Sequence, residues 1–240
     1  MIYKETFKIG LKDIGKDDKI KNRAIIEFLE DLGARHSDLA GYGVNDREKT
    51  KISWILLEWK LKITDRPKYG DELEIHTWGR DANRVFTYRD FEIYNQEGKL
   101  CAIATSKWAI VNIETGKLAK LTEEMIASYK MEDNKKVFEE ELKKIKIPEE
   151  SKETLEYTVV RRDIDLNKHM HNLYYLDLAY EALPEEIYKD RPFDNLQITY
   201  KREIKLGAKV KCNFAKKENK NIIIIKSEDN KTLHAAIELW

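Results

Sequence analysis

Apolar positions along the chain change their period in a fixed order. Between Asn22 and Leu39, the residues Ala24, Ile25, Phe28, Leu29 and Leu32 recur at helical spacing. That predicts one long helix, with Gly33 and Gly41 as candidate breakers. The period then shortens. The stretches ISWILLEWKLKITDR, DELEIHTWG, RVFTYRDFEIYN and LCAIATSKWAIVNI are rich in β-branched and aromatic residues, and turn residues at 68–71 and 95–98 separate them. An antiparallel meander is expected after the helix. A highly charged segment follows, roughly residues 121–156, in which amphipathic helical pieces are predicted to stop near Pro148. Beyond it the order recurs: strand TLEYTVVRR, helix LYYLDLAYEALPEEIY, then strands NLQITYKREIKL, AKVKCNFAKK, NIIIIKS and TLHAAIELW.

The recurrence survives alignment. At an offset of 150, FKIGLKDIGKDDKIKNRAIIEFLEDL lies on YTVVRRDIDLNKHMHNLYYLDLAYEA without a gap, matching Asp13-Ile14 to Asp163-Ile164 and Asn22 to Asn172. After a two-residue indel, LEWKLKITDRPKYGDELEI pairs with LQITYKREIKLGAKVKCNF, and GKLCAIATSKW ends on Trp108 where NKTLHAAIELW ends on Trp240. Such order-preserving self-similarity predicts an internal duplication. The expected fold is α+β, with each half a long helix wrapped by an antiparallel sheet. The boundaries read as 1–120 for the first half, 121–154 for a charged helical linker and 155–240 for the second half.

Composition narrows the function classes. The 240 residues are 42% hydrophobic, enough to fill a core, and 44 basic against 44 acidic side chains leave a formal charge of zero. No nucleic-acid-binding field is expected from such a balance. The two cysteines, Cys101 and Cys212, form neither a disulfide framework nor a CxxC site, which suits a reducing cytoplasm. MIYKETFKIG lacks the apolar core of a signal peptide, and no run reaches the ~20 apolar residues of a membrane helix.

Candidate chemistry concentrates where the halves differ. In the 150-offset alignment Asp165, Asn167 and His169 face Gly15, Asp17 and Lys19. In the strand alignment Glu203 faces Thr64. Shared packing demands do not explain these four. Asn172 is expected to cap the second helix, which places the preceding loop at a positive helix end, where backbone N–H groups stabilise a developing oxyanion. Asp165 would hold its neighbours, Asn167 would orient a substrate or a water, and His169 is of the residue type that most often moves protons in catalysis. Those parts suit ester or thioester hydrolysis. Asp163, shared with Asp13, reads as a turn residue. Strand alternation puts Glu203 on one face with Lys201 and Lys205, so a surface ion pair and a functional carboxylate stand level. His169 and His171 form an HxH pair, but no further ligand shows metal-site spacing. Cys212, flanked by VKCNF, reads as packing rather than as a nucleophile beside His169. Nucleophile-elbow, phosphate-loop, dinucleotide and HExxH motifs are absent.

The stretch DIDLNKHMHNLYYLDLAYEALP, followed by ITYKREIKLG, resembles the second half of the acyl-acyl-carrier-protein thioesterases, a double hotdog family of plants and bacteria. DRPKYGDELEIHTW in the first half is similar to the family's aromatic-Gly-Asp stretch, so the resemblance covers nearly the whole chain. It implies two tandem hotdogs and places the catalytic residues on Asp165, Asn167, His169 and Glu203, the last within Tyr200-Lys201-Arg202-Glu203. The implied reaction hydrolyses a fatty acyl thioester on the phosphopantetheine arm of acyl carrier protein, releasing free fatty acid and ending chain elongation, with no cofactor and no metal. Plant members commonly carry Cys after that Glu; Ile204 stands here, which favours water over a thiol nucleophile. His171 occupies a position that is usually Asn and receives no role. The first half would supply an apolar tunnel for the acyl chain, lined from AIIEFLEDLGARH and strands near Trp54 and Trp59. Lysines 135–136 and 216–217 are candidate contacts for an acidic carrier protein, against the plainer reading of solvated surface. An acyl-CoA thioesterase or dehydratase of the same fold, and a non-catalytic acyl-thioester sensor, are the alternatives; a homodimer is left open.

Overall fold

The helical stripe in the first half folds as its period dictates. Helix α1 spans Asn22–Leu39, and Ala24, Ile25, Phe28, Leu29 and Leu32 are all buried. Each fully buried Leu or Ile contributes roughly 1.5–3 kcal/mol. Gly41, at a φ of +79°, turns the chain away after the helix, a conformation that costs a side-chain-bearing residue. This computed structural model describes residues 1–189 and 193–240, and the chain divides into two units, residues 1–141 and 142–240.

The first unit holds strands β1 (Tyr3–Lys8), β2 (Ile52–Ile63), β3 (Glu72–Arg80), β4 (Thr87–Asn95), β5 (Leu100–Asn112) and β6 (Leu118–Ala119), and helices α1, α2 (Arg47–Thr50) and α3 (Glu123–Tyr129). Its antiparallel sheet runs β1-β3-β4-β5-β2, with β6 on β5. Helix α1 lies against β1 and β3. Trp59, Trp78 and Phe91 are wholly buried. Strand β1, like the short α2 and β6, is not announced by periodicity in the first half; alignment with TLEYTVVRR points to β1.

The second unit holds β7 (Lys152–Thr158), α4 (Asn172–Glu181), α5 (Glu185–Tyr188), β8 (Asn195–Tyr200), β9 (Lys209–Lys217), β10 (Lys220–Ser227) and β11 (Leu233–Leu239). Its sheet runs β7-β9-β10-β11-β8, also antiparallel. In both units the order is first, third, fourth, fifth, second strand, the arrangement a duplicated helix-and-meander requires. The continuous apolar run Ile222 to Ile225 in β10 is buried at every position, so neither face of that strand meets solvent. Helix α4 is shorter than α1, at 10 residues against 18, because Pro184 disfavours helical backbone at Leu183 and separates α4 from α5.

Helix in the charged segment is confined to α3, where the Thr122 hydroxyl caps Met125 N–H at 3.2 Å and Met125 and Tyr129 are buried. Residues 131–151 carry no regular element. Long-range hydrogen bonds hold the first part of this strap, which turns at residues 133–134, against the sheet. Glu132 N–H donates to Gly79 O at 3.0 Å, Trp78 Nε1 to Lys135 O at 2.8 Å and Val137 N–H to the Asp90 carboxylate at 3.0 Å. Those partners occupy backbone groups that a helix would need, and tertiary pairing overrides helical propensity.

Candidate active site

The two units build the same loop before their helices. Asp13 and Asp163 are buried, and each carboxylate accepts a backbone N–H three residues back at 2.8 Å, from Gly10 and Val160 respectively. Their carbonyls accept Lys21 N–H at 2.8 Å and His171 N–H at 2.7 Å. Gly15 N–H donates to Lys19 O, and Asp165 N–H to His169 O, both at 2.8 Å. Even the positive φ recurs, at Asp18 (62°) and Lys168 (65°). Asp163 is therefore architectural, as its duplication implies. Tyr157 adds a 2.7 Å hydrogen bond to it in the second unit, where Phe7 stands in the first.

On this shared frame the second unit places different side chains. Asp165 Oδ1 accepts Asn167 N–H at 2.8 Å and His169 N–H at 3.2 Å, and Oδ2 accepts Asn167 Nδ2 at 3.5 Å. One carboxylate thus fixes the turn that carries the amide and the imidazole. In the first unit the turn is held more loosely and from another position, by Asp17 Oδ1 accepting Lys19 N–H at 3.4 Å. Asp165 and His169 are half-buried and Asn167 is exposed.

Glu203 lies past the end of β8, not within the strand, so alternation with Lys201 and Lys205 does not govern it. His234 O accepts both Lys201 N–H (2.8 Å) and Arg202 N–H (3.3 Å), which bends the segment. Met170 N–H donates to Ile204 O at 2.8 Å, and His169 bridges to Lys205. The loop carrying Asp165, Asn167 and His169 is thereby paired with the segment carrying Glu203. In the first unit Ile20 N–H donates to Pro67 O, and Lys19 bridges to Lys68. The structural counterpart of Glu203 is therefore Arg66, two residues beyond the Thr64 expected from the ungapped strand alignment. A bulge in β2 at Leu56/Glu58 takes up part of that difference. Arg66 Nη1 donates to Ile20 O and to Asn22 Oδ1, both at 2.8 Å. A guanidinium fills the place in the first unit that a carboxylate takes in the second.

The helix start also departs from expectation. His171, not Asn172, is the N-cap of α4: its Nδ1 accepts Leu173 N–H at 3.2 Å, while Asn172 is the first helical residue. An imidazole nitrogen substitutes here for the oxygen acceptor of an ordinary cap. Tyr174 N–H donates to His171 O at 3.0 Å. Asn172 N–H, the first amide of α4, has no acceptor among the described residues.

Two tyrosines complete the surroundings. Tyr200 donates its hydroxyl to Asn172 O at 3.2 Å and meets Tyr175 edge-on, ring centroids 5.3 Å apart. Tyr175 is buried, and burial is the largest cause that raises its hydroxyl above the usual range; the charges of Glu203 and Asp165 add to it. Both carboxylates are thus within electrostatic reach of one phenol. The apolar spacing of α4 marks Tyr175 only as core, and nothing local in the sequence separates it from Leu176.

Other candidates resolve differently. Cys212 is buried and its thiol is pushed up to about 12 by burial alone, which fits packing rather than nucleophilic use. Lys135 pairs with Glu92 at 2.7 Å and lies over the Trp78 ring, and Lys136 pairs with Asp81 at 2.8 Å. Those lysines fasten the strap to its own sheet. Lys216 and Lys217, at the end of β9, are exposed.

Comparison with known proteins agrees with this division. Residues 1–129 match the family model for the acyl-ACP thioesterase N-terminal domain, and residues 146–239 the model for its C-terminal domain. An oleoyl-acyl carrier protein thioesterase from Arabidopsis thaliana is 25% identical over a 223-residue alignment covering 84% of this chain and 60% of that protein. The chain spans about 60% of the length of such curated relatives. A solved 12:0-ACP thioesterase from Umbellularia californica superposes with a TM-score of 0.85 at 18% identity, covering 99% of this chain and 96% of that one. An acyl-ACP thioesterase from Bacteroides thetaiotaomicron superposes at 0.83 with 20% identity, covering 99% and 96%. At these identities the likeness establishes the fold, α+β with tandem hotdogs.

Proposed function

Because the chain belongs to the acyl-ACP thioesterase family, we propose that it hydrolyses a fatty acyl thioester on the phosphopantetheine arm of acyl carrier protein, releasing free fatty acid. The observation that carries this reading is the contrast between two matching loops. Only the second presents Asp165, Asn167 and His169 beside a carboxylate, Glu203, where the first has Arg66.

Water is the nucleophile in this reading. Its oxygen adds to the thioester carbonyl carbon while Glu203, with His169, takes its proton. Collapse of the tetrahedral species breaks the C–S bond, and the proton passes to the departing sulfur. Asn167 orients the reacting groups, and Asp165 holds the turn that presents Asn167 and His169. Asn172 N–H, at the positive end of α4, faces the oxyanion. The commitment of the next two amides to His171 supports that choice. The first unit receives the acyl chain along α1 and the strand bearing Trp54 and Trp59. Two free, buried thiols suit a reducing compartment such as the cytoplasm.

Thiol release measured on acyl-carrier-protein and acyl-CoA substrates across a range of chain lengths tests the reaction. Glu203→Ala and His169→Ala are each expected to lower kcat by about 10²–10⁴-fold with little change in folding. Full turnover in both variants would defeat the site assignment. Inertness of the wild-type chain toward every acyl thioester would defeat the hydrolase reading itself.

A further inference from the structure

The first unit buries a cation without a counter-ion. Arg89, in the middle of β4, is only 7% exposed and points toward α1, where Gly33 makes room for it. A Cβ at position 33 would come within 3.3 Å of Arg89 Cδ. One nitrogen, Nη1, donates to His36 Nδ1 at 2.8 Å and to Thr77 Oγ1 at 3.3 Å. The neighbouring carboxylate, Asp90, points to the other face of the strand and is taken by Arg80 at 2.7 Å. Among the described residues, Tyr129 is the one neighbour that favours the charge of Arg89 electrostatically, and no carboxylate does. An isolated buried charge is costly unless something pairs with it.

The surroundings are rich in donors and poor in acceptors. Because His36 Nδ1 accepts from a guanidinium, the imidazole is neutral and carries its proton on Nε2. That nitrogen is buried and has no partner among the described residues. The Tyr129 hydroxyl is likewise buried, and although Ser37 and Trp54 lie close enough to favour its ionised form, neither meets hydrogen-bond geometry with it. Its neighbours direct their protons elsewhere, Ser37 to Gly33 O and Trp54 to Tyr42 O, both at 3.0 Å. Arg89 Nε and Nη2 meet no acceptor among the described residues. The three groups are close together: the His36 and Tyr129 ring centroids are 5.6 Å apart, and Arg89 Cζ is 5.7 Å from the Tyr129 ring.

We propose that Arg89, His36 and Tyr129 form a buried site for one anionic acceptor, either a halide or the carboxylate of a free fatty acid. The site involves none of the residues assigned to the chemical step; His36 lies on α1 and Tyr129 packs on Trp54, where the acyl chain is proposed to run, so the fatty-acid occupant rests on that reading and the bromide titration does not.

The test titrates the full-length chain with sodium bromide against sodium gluconate at constant ionic strength and follows Tm. Bromide is expected to raise Tm saturably, as a ligand bound only by the folded state must. Tyr129→Phe, which removes one donor and keeps the cation, is expected to raise the apparent bromide dissociation constant about fivefold, near the contribution of one hydrogen bond. Arg89→Met is expected to abolish the response. Octanoate that competes with bromide identifies the carboxylate as an occupant; octanoate without effect leaves the inorganic ion, and either result upholds the site. A Tm that follows ionic strength alone, or a full bromide response in Arg89→Met, overturns it. Should Arg89→Met fail to fold, bromide-soaked wild-type crystals decide. Anomalous density within about 3.5 Å of the guanidinium supports the site, and its absence there overturns it.

Discussion

Single residues carry the sharpest consequences. His171, which the sequence left without a role, caps α4 through Nδ1. His171→Ala is expected to cost about 0.5–2 kcal/mol in denaturant unfolding, and His171→Asn to restore most of it. Glu30 on α1 behaves differently. Its Oε1 is fully buried, and burial, working against the pull of Trp59, pushes the carboxyl up to about 8 from an unfolded value of 4.5. Between those values the folded state holds a proton that the unfolded chain has lost. The associated stability is therefore complete below about 4.5 and drains away as the pH rises through about 8. The slope has an upper bound of about 1.4 kcal/mol per pH unit. Thermal unfolding from pH 5 to 9 is expected to show this decline in the wild type and a flatter profile in Glu30→Gln. His36 works in the opposite sense. Burial and then Arg89 depress it from 6.5 to about 3, so its contribution is present above pH 6.5 and lost on acidification.

At the scale of elements, periodicity was a sound guide wherever burial is one-sided and local. Helix α1 and the meander strands β2 to β5 follow from the spacing of apolar residues, whereas β10, buried on both faces, shows as the continuous run Ile222 to Ile225. The strap after α3 escaped that logic. Its charges have helical spacing, yet Trp78, Gly79 and Asp90 engage its backbone from the sheet. Asp90 is the hinge of this arrangement, since its wholly buried carboxylate takes both Arg80 Nε and Val137 N–H. Asp90→Asn leaves Asp81 as the one carboxylate still paired with Arg80 among the described residues and weakens the charge-assisted bond to Arg80 Nε, so it is expected to destabilise the protein by about 1–3 kcal/mol, read as a lower urea midpoint. Protease cleavage within residues 131–138 should quicken in the same variant, because the strap loses an anchor.

For the whole molecule, duplication is the organising fact. The units share strand order and the hydrogen-bonded frame of one loop, and they differ in the side chains mounted on it. That difference was visible in sequence for Asp165, Asn167 and His169, because an ungapped alignment sets them against unlike residues. For Glu203 the contrast was visible but its counterpart was misplaced, since the matching position is defined by pairing with Ile20 and Met170 rather than by chain length. Of the two lysine pairs considered for a carrier protein, only Lys216 and Lys217 pair with no carboxylate among the described residues. Reversing both to Glu is expected to raise KM for acyl carrier protein substrates several-fold and to leave acyl-CoA turnover unchanged. An unchanged KM for both would exclude that face.

What the chain determined by itself is what short-range physics encodes. Apolar period set the elements and their order, and the comparison of one half with the other separated architecture at Asp163 from candidate chemistry at Asp165, Asn167 and His169. Tertiary structure alone decided which nitrogen caps α4, which residue in the first unit stands opposite Glu203, why the strap is not helical and that Arg89 is buried without a counter-ion among the described residues. Each of those rests on hydrogen-bond partners far apart in the chain or on the absence of a partner. Neither leaves a trace in local spacing, since pairing energy depends on where backbones meet in space and not on their separation in sequence.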